Sequence, residues 1–264
     1  MKWLLVCALC LLTVSQVRSF YVTRIVNGTD AKLGEIPFQV SLRDLSSGKS
    51  RHFCGGSVLN ENYVVTAAHC VYGRQDEEDS KKMRVEVGSI YLDKPYQTHK
   101  VQKVIVHKGF NPSKSLKNDV ALIKVTKPFV FSDRVQPVPL PELHTKILAN
   151  SKATVSGWGG RGGEIQGLPN TLQKATIRIA DQEYCKKVMV QENEEIFPTQ
   201  ICANDPTMRK GQCNGDSGGP LIVNGKLTGI VSWSVKDPYC ASTIYPGVYT
   251  RVPEFVDWIL EHAK

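Results

Sequence analysis

A serine, a histidine and an aspartate, each in an unusual local setting, are the residues of this chain best suited to chemistry. Ser217 lies in Gly215-Asp216-Ser217-Gly218-Gly219-Pro220. Three glycines around one serine suit neither a core nor a regular element, so the stretch reads as a tight loop presenting a hydroxyl. A serine hydroxyl is a weak nucleophile until a base takes its proton. His69, in Thr66-Ala67-Ala68-His69-Cys70, follows an apolar strand, with small neighbours that leave room for the ring. Asp119, in Asn118-Asp119-Val120-Ala121-Leu122-Ile123, opens another apolar strand. Alone, the histidine reads as structural and the aspartate as a strand cap. Brought together, the carboxylate would hold one imidazole tautomer and stabilise the imidazolium.

The elements that must position these groups are short β-branched runs separated by turns: Val64-Val65, Val85 to Val87, Val101 to Val106, Val120 to Val125, Ala153 to Val155, Ala175 to Ile179, and Leu221 to Val231. The last is broken by Asn224-Gly225, a strong hairpin signal. Several alternate apolar and polar residues. The tail, Pro253 to Lys264, alone spaces Phe255, Val256, Ile259 and Leu260 like a helix face. This pattern predicts an all-β pair of barrels closed by a C-terminal helix, with no repeat, low-complexity tract or long linker.

The chain has 264 residues and a formal charge of +8. Its start, Met1-Lys2 followed by an apolar run to Val14 and small residues at Ser15 and Ser19, predicts a secretory signal over 1–19, cut after Ser15 or Ser19. The run is too short to span a bilayer, which excludes a membrane anchor. Three of the 33 basic residues, Lys2, Arg18 and Arg24, precede Ile25; the 30 that remain against 25 acidic ones leave a net +5. That modest charge, with no basic run interleaved with aromatics, excludes nucleic acid as a partner. Cys7 and Cys10 depart with the signal. The remaining Cys54, Cys70, Cys185, Cys202, Cys213 and Cys240 suit three disulfides of an exported protein, and numbers alone allow about 15 pairings. Those six show no Cys-x-x-Cys pair, and the chain no His-x-x-x-His spacing, to favour zinc.

Taken together, TAAHC, NDVALIKV, SGWG, GDSGGP, SWS and PGVYTRV, in this order and spacing, resemble the chymotrypsin-like family of secreted serine proteases from Ile25 to the C-terminus. The resemblance implies two six-stranded antiparallel β-barrels over 25–264. It makes His69 the general base, Asp119 its orienter, Ser217 the nucleophile and the N–H groups of Gly215 and Ser217 the oxyanion hole. It pairs Cys54 with Cys70, Cys185 with Cys202 and Cys213 with Cys240. Residues 20–24 become a pro-segment cut after Arg24 by a trypsin-like protease, freeing the Ile25 amino group to pair with Asp216. Partners would be protein or peptide substrates and protein inhibitors of proteases, and the enzyme would act as a monomer. Ala153 and Val223 stand where many vertebrate relatives carry a fourth bridge, which is similar to the invertebrate pattern. Ser89 after Gly88 departs from the acidic calcium loop of pancreatic relatives, so no metal or other cofactor is expected.

The resemblance also assigns a substrate pocket to Gly211, Gln212, Asn214, Ser232, Trp233, Ser234 and Gly247. Ser232-Trp233-Ser234 would pair with the substrate backbone as an added strand. Trypsin-like members carry an acid where this chain has Gly211, and Gly247 leaves the opposite wall open. An uncharged, deep pocket implies chymotrypsin-like cleavage after large apolar residues. If Gln212 and Ser234 both point inward, the preference becomes elastase-like. If Asp237 approaches the pocket mouth, it becomes trypsin-like. A non-catalytic relative acting as a binding protein is the alternative of a different class, opposed by the intact Ser, His and Asp. Asn27-Gly28-Thr29 is a glycosylation acceptor by sequence. The acidic run Asp76 to Asp79 reads as a solvated loop, with attraction of basic substrate residues as the sharper alternative.

Overall fold

The computed structural model describes residues 25–160, 169–235 and 240–264. The expected signal and pro-segment, and Asp237, lie outside these residues. Alternating burial along the β-branched runs turns them into strands. In the first half these are β1 (Thr29–Asp30), β2 (Gln39–Asp44), β3 (Arg51–Val58), β4 (Tyr63–Thr66), β5 (Met83–Val87), β6 (Gln97–Val106) and β7 (Ala121–Val125). The six strands β2-β3-β4-β7-β6-β5 close into an antiparallel barrel. Within β5, Met83, Val85 and Val87 point inward while Arg84 and Glu86 are partly exposed, the period-2 pattern of a half-buried strand.

The second half supplies β8 (Lys152–Gly157), β9 (Gln173–Ile179), β10 (Gln200–Asn204), β11 (Pro220–Val223), β12 (Lys226–Trp233) and β13 (Gly247–Arg251). They run β9-β10-β13-β12-β11-β8, and the pairing of β8 with β9 closes a second six-stranded barrel, with β1 added outside β9. Asn224 and Gly225, with φ of 50° and 74°, form the expected tight turn between β11 and β12.

Each barrel has its own core. Val40, Leu42, Val64, Val85, Leu122 and Ile123 fill the first, and Ile25, Val155, Ile177, Ile201, Leu221 and Tyr249 the second. A fully buried aliphatic side chain of this size stabilises the fold by about 1.5–3 kcal/mol. Ile25 therefore ties the start of the expected mature chain to the second barrel.

Four short helices complete the fold: α1 (Ala68–Val71), α2 (Glu77–Lys81), α3 (Gln182–Val190) and α4 (Val256–His262). The acidic run is helical rather than a loop. Asp76 accepts the Asp79 N–H at 2.7 Å, and Glu77 and Glu78 pair with Lys81 and Lys82 one turn on. Helix α3 lies outside the sequence expectation. Asp181 caps it by accepting the Tyr184 N–H at 2.8 Å, and Cys185, Val188 and Met189 form its buried face. Helix α4 follows a 3₁₀ turn, Val252–Glu254, and packs Phe255 and Ile259 on the first barrel. Leu260 departs from the expected apolar face and is 55% exposed. Disulfides join Cys54 to Cys70, Cys185 to Cys202 and Cys213 to Cys240.

The barrels meet along a hydrogen-bonded seam. Ser156 Oγ donates to Gln39 Oε1 at 2.7 Å, Gly55 N–H to Ser217 O at 2.7 Å, and Thr250 Oγ1 to Asp119 O at 2.6 Å. No helix among the described residues is long and apolar enough to cross a membrane.

Candidate active site

The first barrel carries His69 and Asp119 to the seam. Strand β4 is buried throughout and delivers the chain into α1, where the Cys54–Cys70 bridge anchors the backbone beside His69. Asp119 lies two residues before β7, after Asn118 in the left-handed region at φ 58°. Its carboxylate is 1% exposed and accepts three bonds. His69 donates twice, from its backbone N–H to Oδ1 at 2.8 Å and from Nδ1 to Oδ2 at 2.7 Å. The third donor is Ser232 Oγ of β12, at 2.6 Å from Oδ2. Donors on both carboxylate oxygens place the ring proton on Nδ1 and leave Nε2 free to accept one.

The second barrel contributes the loop around Ser217. Gly218, at φ +77°, presses so closely on the first barrel that a Cβ there would lie 2.2 Å from Thr66 Oγ1 and 2.6 Å from Gly55 O. Only glycine fits. Gly215 takes φ +94°. The N–H groups of Gly215 and Ser217 donate to no acceptor among the described residues, whereas those of Asp216, Gly218 and Gly219 all do. Unpaired neighbouring N–H groups are uncommon and suit an anion. The Ser217 hydroxyl makes no hydrogen bond among the described residues and is only half-buried. Catalytic hydrogen bonds are often long before substrate binds.

His52, not singled out in the sequence, supports this loop. It is 3% exposed, edge-on to Trp158, with Ser41 Oγ 2.8 Å from Nδ1 and Gly215 O 2.9 Å from Nε2. Burial lowers its pKa to about 4, so it is neutral, accepting from Ser41 and donating to Gly215. Its signal in the sequence was one histidine near the start of β3, which names no partner.

Asp216 is fully buried and accepts from Gly159 N–H at 2.7 Å and Cys213 N–H at 2.8 Å. Burial pushes its pKa up to about 7 against the pull of those two donors. Ile25 lies close by, its N–H 3.4 Å from Gly159 O, and Val26 pairs with Gly211 through bonds of 2.9 and 3.2 Å. Asn27 is exposed, and its side-chain amide donates to Arg209 O at 2.7 Å.

Beside the loop, Gln212 is 4% exposed. Its Nε2 donates to Trp233 O at 3.2 Å, and its amide lies against Gly247. Asn214 O accepts from Gly160 N–H at 2.8 Å. Ser232 is buried, while Trp233 and Ser234 are half-exposed at the end of β12. Cys54, His69 and Cys70 are close enough to suggest a metal cluster, but the two sulfurs are joined to each other and are not thiolates.

Paired β-barrels with a His–Asp pair and a glycine-bound serine loop at their seam define a serine protease fold. Residues 25–259 match the family model described as Trypsin, and the chain belongs to the trypsin family of serine proteases. It is 41% identical over 249 residues to Trypsin-1 of Astacus astacus, covering 90% of this chain and all of that protein. It is 40% identical over 236 residues to Chymotrypsin-2 of Vespa crabro, covering 89% and 98%. Among solved structures it is similar to human heparin binding protein, at TM-score 0.76 and 27% identity over 90% of this chain and 96% of that one. The relatives thus include proteins named for both trypsin and chymotrypsin.

Proposed function

We propose that this chain is the precursor of a secreted serine endopeptidase that works through an acyl-enzyme. Ser217 Oγ attacks the substrate carbonyl as His69 Nε2 takes its proton. The same proton passes to the leaving amine, and water repeats the sequence to release the acid. The free N–H groups of Gly215 and Ser217 stabilise the oxyanion, and loss of one such donor costs about 100- to 1000-fold in rate. The 2.7 Å contact between His69 and Asp119 carries this reading. The test is labelling of the chain beginning at Ile25 with diisopropyl fluorophosphate, together with peptide hydrolysis. Modification of Ser217 with turnover is expected; neither occurring would favour a non-catalytic binding protein.

A signal over 1–19 and a pro-segment over 20–24 would keep the chain silent until cleavage after Arg24. Supporting this, Asp216 is buried with no cation at its carboxylate among the described residues, and burial raises its pKa to about 7. A freed Ile25 ammonium beside Gly159 would supply the missing charge. Protein substrates, protein inhibitors and an activating trypsin-like protease are the partners this entails, with a monomer as the working unit. The activator is a separate enzyme because Gly211 offers no carboxylate for arginine.

For substrate preference, an uncharged pocket alone would give chymotrypsin-like cleavage after large apolar residues, the first of two readings. The inward position of Gln212, against Gly247, favours the second, a pocket shortened in the elastase manner.

A further inference from the structure

Gln212, five positions before Ser217, carries a polar group with nothing to bind. Gln212 is buried, its Nε2 is committed to Trp233 O, and its Oε1 has no hydrogen-bond partner. A Cβ on Gly247 would lie 2.8 Å from Gln212 Nε2 and 2.9 Å from Oε1. The space Gly247 leaves open is therefore occupied by the Gln212 carboxamide and is closed to a large substrate ring.

A second unmatched group follows on the neighbouring strand β13. Tyr249 stands two residues beyond Gly247 on β13, hence on the same face of the strand. It is fully buried, and its phenol oxygen also lacks a partner. Burial and the nearby Asp216 carboxylate keep the phenol protonated, so Tyr249 can donate while Gln212 Oε1 can accept. A buried polar atom without a partner is costly, and a ligand that satisfies it is selected over an apolar isostere.

We propose that Gln212 determines specificity, and that its free Oε1, assisted by the Tyr249 hydroxyl from the strand face that carries Gly247, selects substrates whose residue before the cut bears a short neutral carboxamide, glutamine or asparagine. The substrate N–H₂ would donate to Gln212 Oε1, and the substrate carbonyl would accept from Tyr249. Apolar residues leave both groups unmatched. Lysine and arginine could donate but would bury a cation that two neutral groups cannot compensate, since the Asp216 carboxylate near Tyr249 is turned to the Gly159 and Cys213 N–H groups. This inference rests on the endopeptidase reading above.

The experiment uses chain activated to begin at Ile25 and quantified by organophosphate titration. Its substrates are peptides differing only in the residue before the cut: Gln, Asn, Met, Leu, Phe or Lys. Expected is kcat/KM at least about tenfold higher for Gln over Met, or Asn over Leu, the near-isosteric pairs. Gln212→Leu, which keeps volume and removes the acceptor, should bring those ratios close to one. Gln212→Ala should raise Phe turnover relative to Gln by more than tenfold by reopening the space beside Gly247. A wild-type enzyme that cuts Met, Leu, Phe or Lys better than the amides overturns the proposal, as does a Gln/Met ratio unchanged in Gln212→Leu. Should that variant not fold, the wild-type ranking decides alone. Absence of both titration and hydrolysis would instead sink the endopeptidase reading itself.

Discussion

His52 offers the sharpest test of how the serine loop is held. The perturbation is His52→Phe in the mature Ser217→Ala chain, where autolysis cannot interfere. Phenylalanine keeps a ring beside Trp158 and loses both hydrogen bonds. Near pH 7 the variant leaves the Ser41 hydroxyl, which is 3% exposed, and the Gly215 carbonyl unmatched. At about 1–3 kcal/mol for each of the two groups, a loss of about 2–6 kcal/mol follows. The pKa of His52 falls from 6.5 to about 4 on folding. Below 6.5 the unfolded chain gains a proton that the folded chain refuses, so this stabilisation is complete above 6.5 and fades as pH drops to about 4. At about 1.4 kcal/mol per pH unit, about 3 kcal/mol disappears over that window. The titration of Asp216 is common to both chains and cancels in their difference. Urea unfolding followed by tryptophan fluorescence at pH 7, 6, 5 and 4 reads that difference directly. It should shrink by about 3 kcal/mol. A difference constant within about 0.5 kcal/mol would refute the buried neutral imidazole and its two bonds.

Other expectations can be checked by conventional assays. Ser232→Ala removes one of three donors to Asp119 and should lower kcat about 10- to 100-fold with little change in KM, as expected for a charged hydrogen bond of about 1.5–3 kcal/mol; an unchanged kcat would show that two donors suffice. Arg24→Gln should leave the precursor silent after trypsin treatment, with N-terminal sequencing finding no chain that begins at Ile25; full activity in that variant would rule out the switch. Replacing Cys185 and Cys202 together with alanine opens a loop whose ends are 17 residues apart, and should lower stability by about 3 kcal/mol while leaving kcat/KM of the folded enzyme within about twofold; a larger kinetic loss would tie that bridge to the site.

How much could be read in advance follows the range of the interactions involved. The barrels were legible because alternation along β5 and β9 is local, and the Asn224-Gly225 turn is set by two adjacent residues. Helix α3 was not, since its buried face of Cys185, Val188 and Met189 is too short to stand out and one of the three is a half-cystine. The acidic run looked like a loop because its capping depends on Asp76 reaching the Asp79 N–H. At the site, the pairing of His69 with Asp119 was expected from residue type, but Ser232, 113 positions from Asp119, was expected only to meet substrate. His52 escaped for the same reason, being 163 positions from Gly215. Gln212 was visible as an odd residue, yet which way its carboxamide turned depends on Trp233 and Gly247.

The bonds at the barrel seam have one further effect. Gly55 holds the backbone of Ser217, Thr250 holds that of Asp119, and Ser232 holds its carboxylate, so each group is steadied from the barrel that does not carry it. Sliding the two halves apart slightly would scatter the reacting groups while both cores stayed intact.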